Sequence, residues 1–132
     1  MGAIVARTRW RDLRVLRAIH LMLAAEHRGI SAKLDEAKLA RALERPRNLV
    51  QRGDADAVRL AAAYAVSIAR SRALASGNGA LGLAALDMVL RLGGRRLDCA
   101  EAEAAAVMRA LEAGKIGAAE IEIWTRENAA PA

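Results

Sequence analysis

At 132 residues the chain is long enough to bury a core and short enough to form one domain, 1–132. Alanine, leucine and arginine dominate, phenylalanine is absent, and the single cysteine, Cys99, excludes an internal disulfide and fits a reducing, cytoplasmic setting. The formal charge of +6 invites an acidic protein or a nucleic acid without choosing between them, and no membrane partner is expected, because Arg70, Asp87 and Arg91 interrupt every apolar run before spanning length. The N-terminus also lacks the apolar core of a secretory leader. With β-branched residues scattered, the composition favours helix throughout. The expected fold class is all-α, a compact single-domain bundle of about six helices.

Thr8 is placed to cap a first helix that runs to about His27. Trp10, Leu13, Leu16, Ile19 and Leu23 repeat at three- and four-residue spacing and form its inner stripe. Arg7, Arg11, Arg14 and Arg17 lie largely away from that stripe. They read as a solvated face or, more sharply, as a docking surface for an acidic partner or DNA phosphates. His20 and His27 stand two helical turns apart, too far for one ion, so no metal site is expected. Gly29 to Leu34 reads as a connection. Asp35 caps a short helix, Glu36 to Arg45, which Pro46 ends, and 46–53 reads as a polar loop.

Asp54 or Asp56 opens the next helix, whose segment Leu60–Ala69 is apolar on nearly every side. A second such segment, Leu81–Leu92, begins at Asn78 or Gly79 and stops at Gly93-Gly94. These two should form the buried centre. Asp87 in the middle of the second must face a cleft or pair with an arginine, since an unpaired buried carboxylate is expensive. Asp98 can cap the following helix and Gly114 close it. A last helix, about Ala118 to Glu127, puts Ile121 and Trp124 on one face. The core then spans about 8–127, and a tail, 128–132, should fray.

Between the two apolar segments lies Arg70-Ser71-Arg72-Ala73-Leu74-Ala75-Ser76-Gly77-Asn78-Gly79-Ala80. Gly77, Asn78 and Gly79 suit a turn with positive φ, and backbone N–H groups at the start of the following helix can hold an anion such as a phosphate. Gly77, Gly79 and Gly82 also spell G-x-G-x-x-G, but a dinucleotide fingerprint needs a preceding strand, and the segment before this one is helical in composition.

Ala18-Ile19-His20, Leu43-Glu44-Arg45-Pro46-Arg47-Asn48-Leu49, Leu60-Ala61-Ala62-Ala63-Tyr64-Ala65 and Ile68-Ala69-Arg70 resemble the Fic/Doc (death-on-curing) family. So do Gly77-Asn78, Gly94 with Leu97-Asp98, and the closing helix with Trp124. The similarity runs from Thr8 to Glu127 and is nearest the compact Doc branch, the toxins of toxin–antitoxin modules. The resemblance implies a six-helix fold and a motif H-P-F-x-[D/E]-G-N-[G/K]-R that moves a phosphate or nucleotidyl group from a nucleoside triphosphate to a protein hydroxyl. In the Doc branch that hydroxyl belongs to elongation factor Tu. The motif's histidine serves as base, its acid holds Mg²⁺, Gly-Asn cradles a phosphate, and its arginine neutralises developing charge.

Against that pattern, Arg72 stands at the histidine position, Ser76 at the acid and Ala80 at the arginine, while Gly77, Asn78 and Gly79 are kept. Leu83 takes the place of a second arginine found in many Fic proteins. Losing a general base costs about 10²–10⁴ in rate, and losing a charge-stabilising arginine roughly 10³–10⁵. A guanidinium stays protonated and cannot replace the base. No catalytic set is intact, and Mg²⁺ is not expected. The first reading is therefore a protein that has lost transfer and binds an antitoxin-like small protein, a translation component, or a nucleotide or phosphate at Arg72, Gly77, Asn78 and Gly79. The antitoxin segment would be acidic and amphipathic and lie against Arg11 and Arg14. The alternatives are a nucleotide-dependent transferase with a rearranged site built on His20, Asp87 or Asp98, and a DNA-binding or operon-regulating protein.

Overall fold

The structure is a computed structural model that describes the backbone of residues 2–53 and 56–132 and, within it, the side chains from Leu13 onward. Its elements run α1 (Gly2–Glu26), α2 (Glu36–Ala42), α3 (Glu44–Arg52), α4 (Ala57–Ala69), α5 (Asn78–Leu92), β1 (Arg95–Leu97), α6 (Glu101–Glu112), α7 (Ala118–Asn128) and β2 (Ala129–Pro131). Leu43 ends α2 and starts α3 in right-handed helical geometry, and the Arg47 N–H donates to its carbonyl at 3.1 Å. Counted as one bent rod, α2–α3 brings the bundle to the expected six. The fold is all-α but for one antiparallel strand pair, and no helix among the described residues is long and apolar enough to cross a membrane.

The core forms where the apolar segments predict it. Leu60, Ala61, Tyr64, Ala65 and Ile68 of α4 and Leu81, Ala85, Leu86, Val89 and Leu90 of α5 are sealed from solvent. The two helices approach closely because α5 carries Gly82 at the crossing. A Cβ there would stand 3.0 Å from the Ala65 carbonyl oxygen and 3.2 Å from the Met108 methyl. Leu16 of α1, Leu39, Leu43 and Val50 of α2–α3, Met108 and Leu111 of α6, and Ile121 of α7 close around this pair in one contiguous cluster. Leu13, Ile19 and Leu23 continue the α1 stripe, partly buried against it.

Several local expectations change. Nothing in Gly2–Arg7 breaks a helix, so α1 begins at Gly2 and Thr8 lies within it rather than capping it. Pro46 does not end a helix; it occupies the first turn of α3, where the N–H it lacks would have no intrahelical partner. The stretch read as a loop is thus helix through Arg52, closed by Gly53 at φ 72. Asp35 caps α2 through Lys38 N–H at 3.1 Å, and Asp56 caps α4 through Arg59 N–H at 2.8 Å. Asp54 lies outside the described residues. Asp98 does not cap α6, whose N-cap is Ala100; its carboxylate sits 3.4 Å from Arg96.

The tail does not fray. Residues 129–131 pair with β1 in the register Arg95↔Pro131, Arg96↔Ala130, Leu97↔Ala129. Asp87 explains why β1 is there to be paired. It meets both of its expectations, lining the groove over α5 and bonding Arg91 at 2.7 Å, and it accepts the Leu97 N–H at 3.1 Å. That fixes an extended segment whose other backbone groups need a partner, and the tail supplies one.

Two outcomes follow from this packing. Gly82→Val, which forces a side chain against the α4 backbone, lowers stability by about 1–3 kcal/mol. Gly29→Ala, where a Cβ meets nothing within 4 Å, stays within about 0.5 kcal/mol; urea midpoints at constant slope check both. Burial pushes the Asp56 carboxyl up, but the Arg59 N–H and the Arg126 guanidinium at 3.1 Å outweigh it and hold it below its ordinary value. A depressed carboxylate contributes stability above its unfolded pKa that is lost as pH falls through the folded one. Because the pair is about half exposed, screening limits the effect to about 1 kcal/mol or less. Asp56→Asn should flatten that acid limb in pH-dependent melting.

Candidate functional site

The site expected from the sequence is the loop 70–77 and the first turn of α5. Gly77 takes φ 99, and a Cβ there would press on Ile30 at 3.0 Å, so only glycine fits both its conformation and its space. Asn78 begins α5, and its side chain turns back into the loop. Its Nδ2 donates to the Leu74 carbonyl at 2.8 Å, and its Oδ1 accepts the Leu74 N–H at 3.0 Å. Ser71 Oγ donates to the Ile68 carbonyl at 2.8 Å and accepts the Ala73 N–H at 3.1 Å. The loop is thereby satisfied from within.

A second segment buttresses it. The Ser31 N–H donates to the Ser76 carbonyl at 3.0 Å, and the Asp35 N–H to the Ala73 carbonyl at 2.8 Å. His20, 3 % exposed, reaches the Ser31 carbonyl through Nε2 at 2.8 Å. A carbonyl only accepts, so this nitrogen carries the hydrogen and is not available to take a proton. His20 therefore comes within one residue of the motif loop, but as a prop behind it.

The sequence-predicted positions separate into three environments. Arg72 is exposed and holds φ 56, the one positive φ outside glycine among the described residues. Ser76 is exposed, its carbonyl already bound to Ser31. Ala80 is exposed and, with Leu83, walls an apolar groove of about 990 Å³ that Leu23, Ile30 and Met108 also line.

The backbone N–H groups at the head of α5 are not all open. A carboxylate oxygen of Glu112, in the last turn of α6, accepts the Gly79 N–H. Arg70 fixes the chain around that carboxylate, donating Nε to the Leu111 carbonyl at 3.2 Å and Nη2 to the Ile116 carbonyl at 2.5 Å. Neither residue's role is visible in the loop sequence. One signal exists: a negative charge at a helix C-terminus opposes the macrodipole and needs a partner elsewhere.

The other candidates have structural partners. Asp87 holds Arg91 and β1, and Asp98 faces Arg96. Burial, then the nearby carboxylates of Glu103 and Asp98, push the Cys99 thiol up, so it stays protonated at neutral pH. Among the described residues no three His, Cys, Asp or Glu side chains cluster to hold a metal ion. On α1, Arg14 is exposed and Arg17 pairs with Glu36 at 2.7 Å, whereas Arg7 and Arg11 lie outside the described side chains.

A model of the Fic/DOC family matches residues 10–90, from α1 through the motif loop to α5. The chain belongs to the Fic/DOC family. No curated protein matches it. In this Fic/DOC chain Gly77 turns the loop and Asn78 clamps it, with Arg72, Ser76 and Ala80 exposed around it.

Asn78→Ala leaves the buried Leu74 N–H and carbonyl without partners. It should cost about 2–4 kcal/mol and speed amide exchange at Leu74 and Ala73. Equal exchange in both proteins would show that the clamp does not hold the loop.

Proposed function

We propose that this Fic/DOC protein works by binding and does not transfer phosphate or nucleotidyl groups. The observation that carries the reading is the Glu112 carboxylate on the Gly79 N–H, at the head of the helix where a phosphate would be cradled. An anion already attached to the chain competes with any incoming anion for that donor. Arg72, Ser76 and Ala80 supply no base, no carboxylate ligand and no guanidinium aimed from the arginine position. A nucleoside triphosphate, if it meets Arg72, would be held without turnover.

The partner we assign is an antitoxin-like small protein, presenting an amphipathic segment. Where the family motif places arginine, Ala80 and Leu83 make an apolar wall, and the groove they share with Leu23, Ile30 and Met108 suits the apolar stripe of a partner helix. Leu21 and Met22 of α1, 67 % and 63 % exposed, offer further apolar side chains to a partner outside the groove. Acidic positions on such a segment would complement the arginine face that Arg14 begins.

Radiolabelled nucleotide with purified elongation factor Tu tests the loss of transfer. The natural protein should leave the target unlabelled. Arg72→His, Ser76→Asp and Ala80→Arg combined with Glu112→Ala should give detectable labelling, and each single change none, since such groups act as a unit. Labelling by the natural protein overturns the proposal. For the partner, the product of an adjacent reading frame should co-purify with the chain. Leu83→Glu should weaken that complex about tenfold or more, equivalent to about 1.4 kcal/mol, as read by titration calorimetry.

A further inference from the structure

We infer that the face formed by α2–α3 and the loop before α5 binds the phosphate backbone of double-stranded DNA. This is a function separate from the apolar groove and independent of whether transfer has been lost. Lys38, Arg41, Arg45, Arg70 and Arg72 line one open groove of about 470 Å³, floored by small side chains such as Ala42 and Ser67. No carboxylate lines it. Lys38, Arg41, Arg45 and Arg72 are exposed and form no ion pair among the described residues. Five arginines on other surfaces do have carboxylate partners: Arg17 with Glu36, Arg59 with Glu122, Arg91 with Asp87, Arg96 with Asp98 and Arg126 with Asp56. Arg70 turns its guanidinium to the Leu111 and Ile116 carbonyls and lies within reach of the Glu120 charge; the other four, gathered without an ion pair, repel one another, and an anion from outside relieves that repulsion.

The spacing turns a patch into a track. Lys38, Arg41 and Arg45 stand at i, i+3 and i+7 along a rod whose helical path continues through Leu43, so they share one face. Arg45 also lines the adjoining groove of about 450 Å³, which adds Arg52; Arg59 in that groove is already paired with Glu122, which lines it too. From Lys38 to Arg52 the rod extends up to about 20 Å at 1.5 Å per residue. With about 3.4 Å of axis per phosphate on each strand of a duplex, such a track runs beside several phosphates, more than a lone nucleotide offers.

The lining also selects among polyanions. An acidic helical peptide needs large apolar anchors at helical spacing, and the arginine-lined groove has none. A single strand is held largely by bases stacked on aromatic rings, but of the described aromatic side chains Tyr64 is sealed in the core, Trp124 packs against it, and neither lines this groove. Duplex RNA is read through 2′-hydroxyls that donate and accept, whereas this lining is dominated by donors that carry charge. Arginine forks on phosphate oxygens are what remain, and they read no base sequence.

The test is fluorescence anisotropy of the full chain with a labelled 20-base-pair DNA duplex between low and physiological salt, folding being checked by circular dichroism. The natural protein should bind two unrelated duplex sequences alike, with affinity falling linearly on a log–log salt plot. Arg41→Ala with Arg45→Ala should weaken binding at least tenfold at low salt and make the slope shallower by about two, one for each lost phosphate contact. Arg91→Ala with Arg96→Ala, the same charge change at another surface, should leave affinity within about twofold. No binding at low salt, an equal loss in both double variants, or equal affinity for duplex RNA or an acidic peptide would each overturn the inference.

Discussion

The side chain of Asn78 is the interaction on which the loop between the two central helices depends. A helix start leaves backbone donors open, and a tight loop leaves carbonyls and N–H groups without regular partners. Asn78 answers the second problem by pairing with both polar groups of the Leu74 backbone. Gly77 makes this possible by turning the chain at φ 99 under Ile30. Ser31 and Asp35, anchored by His20, then bind the loop's outward carbonyls. The loop is held from two sides, by its own side chains and by the segment from Ser31 to Asp35.

That construction separates scaffold from chemistry. The scaffold residues, Gly77, Asn78 and Ser71, act on backbone atoms of the loop. Arg72, Ser76 and Ala80, by contrast, are exposed and turn away from that internal bonding. Glu112 links the two levels. Its carboxylate satisfies the Gly79 N–H, and Arg70 secures the surrounding α6–α7 turn by binding two carbonyls. One of the open donors at the head of α5 is thus taken from inside the protein.

Charge is distributed unevenly over the bundle. Ion pairs join α4 to α7 and α1 to α2, where they add alignment more than stability because most are solvent-exposed. The cations beside Arg72 have no such counterparts. The apolar groove over α5 and the cationic groove beside α2–α3 present unlike surfaces, on opposite margins of the same loop.

The sequence by itself determined the all-α class and the two buried central helices, because hydrophobic periodicity reports local burial directly. It also pointed to Asp35 as the α2 cap and to Asp87 as an arginine partner. It misread Pro46, since proline in a first turn and proline after a last turn look alike in letters, and it misread the tail, whose strand exists only because β1 lies beside it. Asp98 looked like a cap for the same reason: residue type suits the role, but only the fold decides whose N–H groups are within reach. The tertiary structure alone decided where Glu112 and His20 point, and that residues from 38 to 72 share one uncompensated groove. Those facts join positions far apart in the chain, and local pattern carries no information about which distant backbone group a side chain will meet.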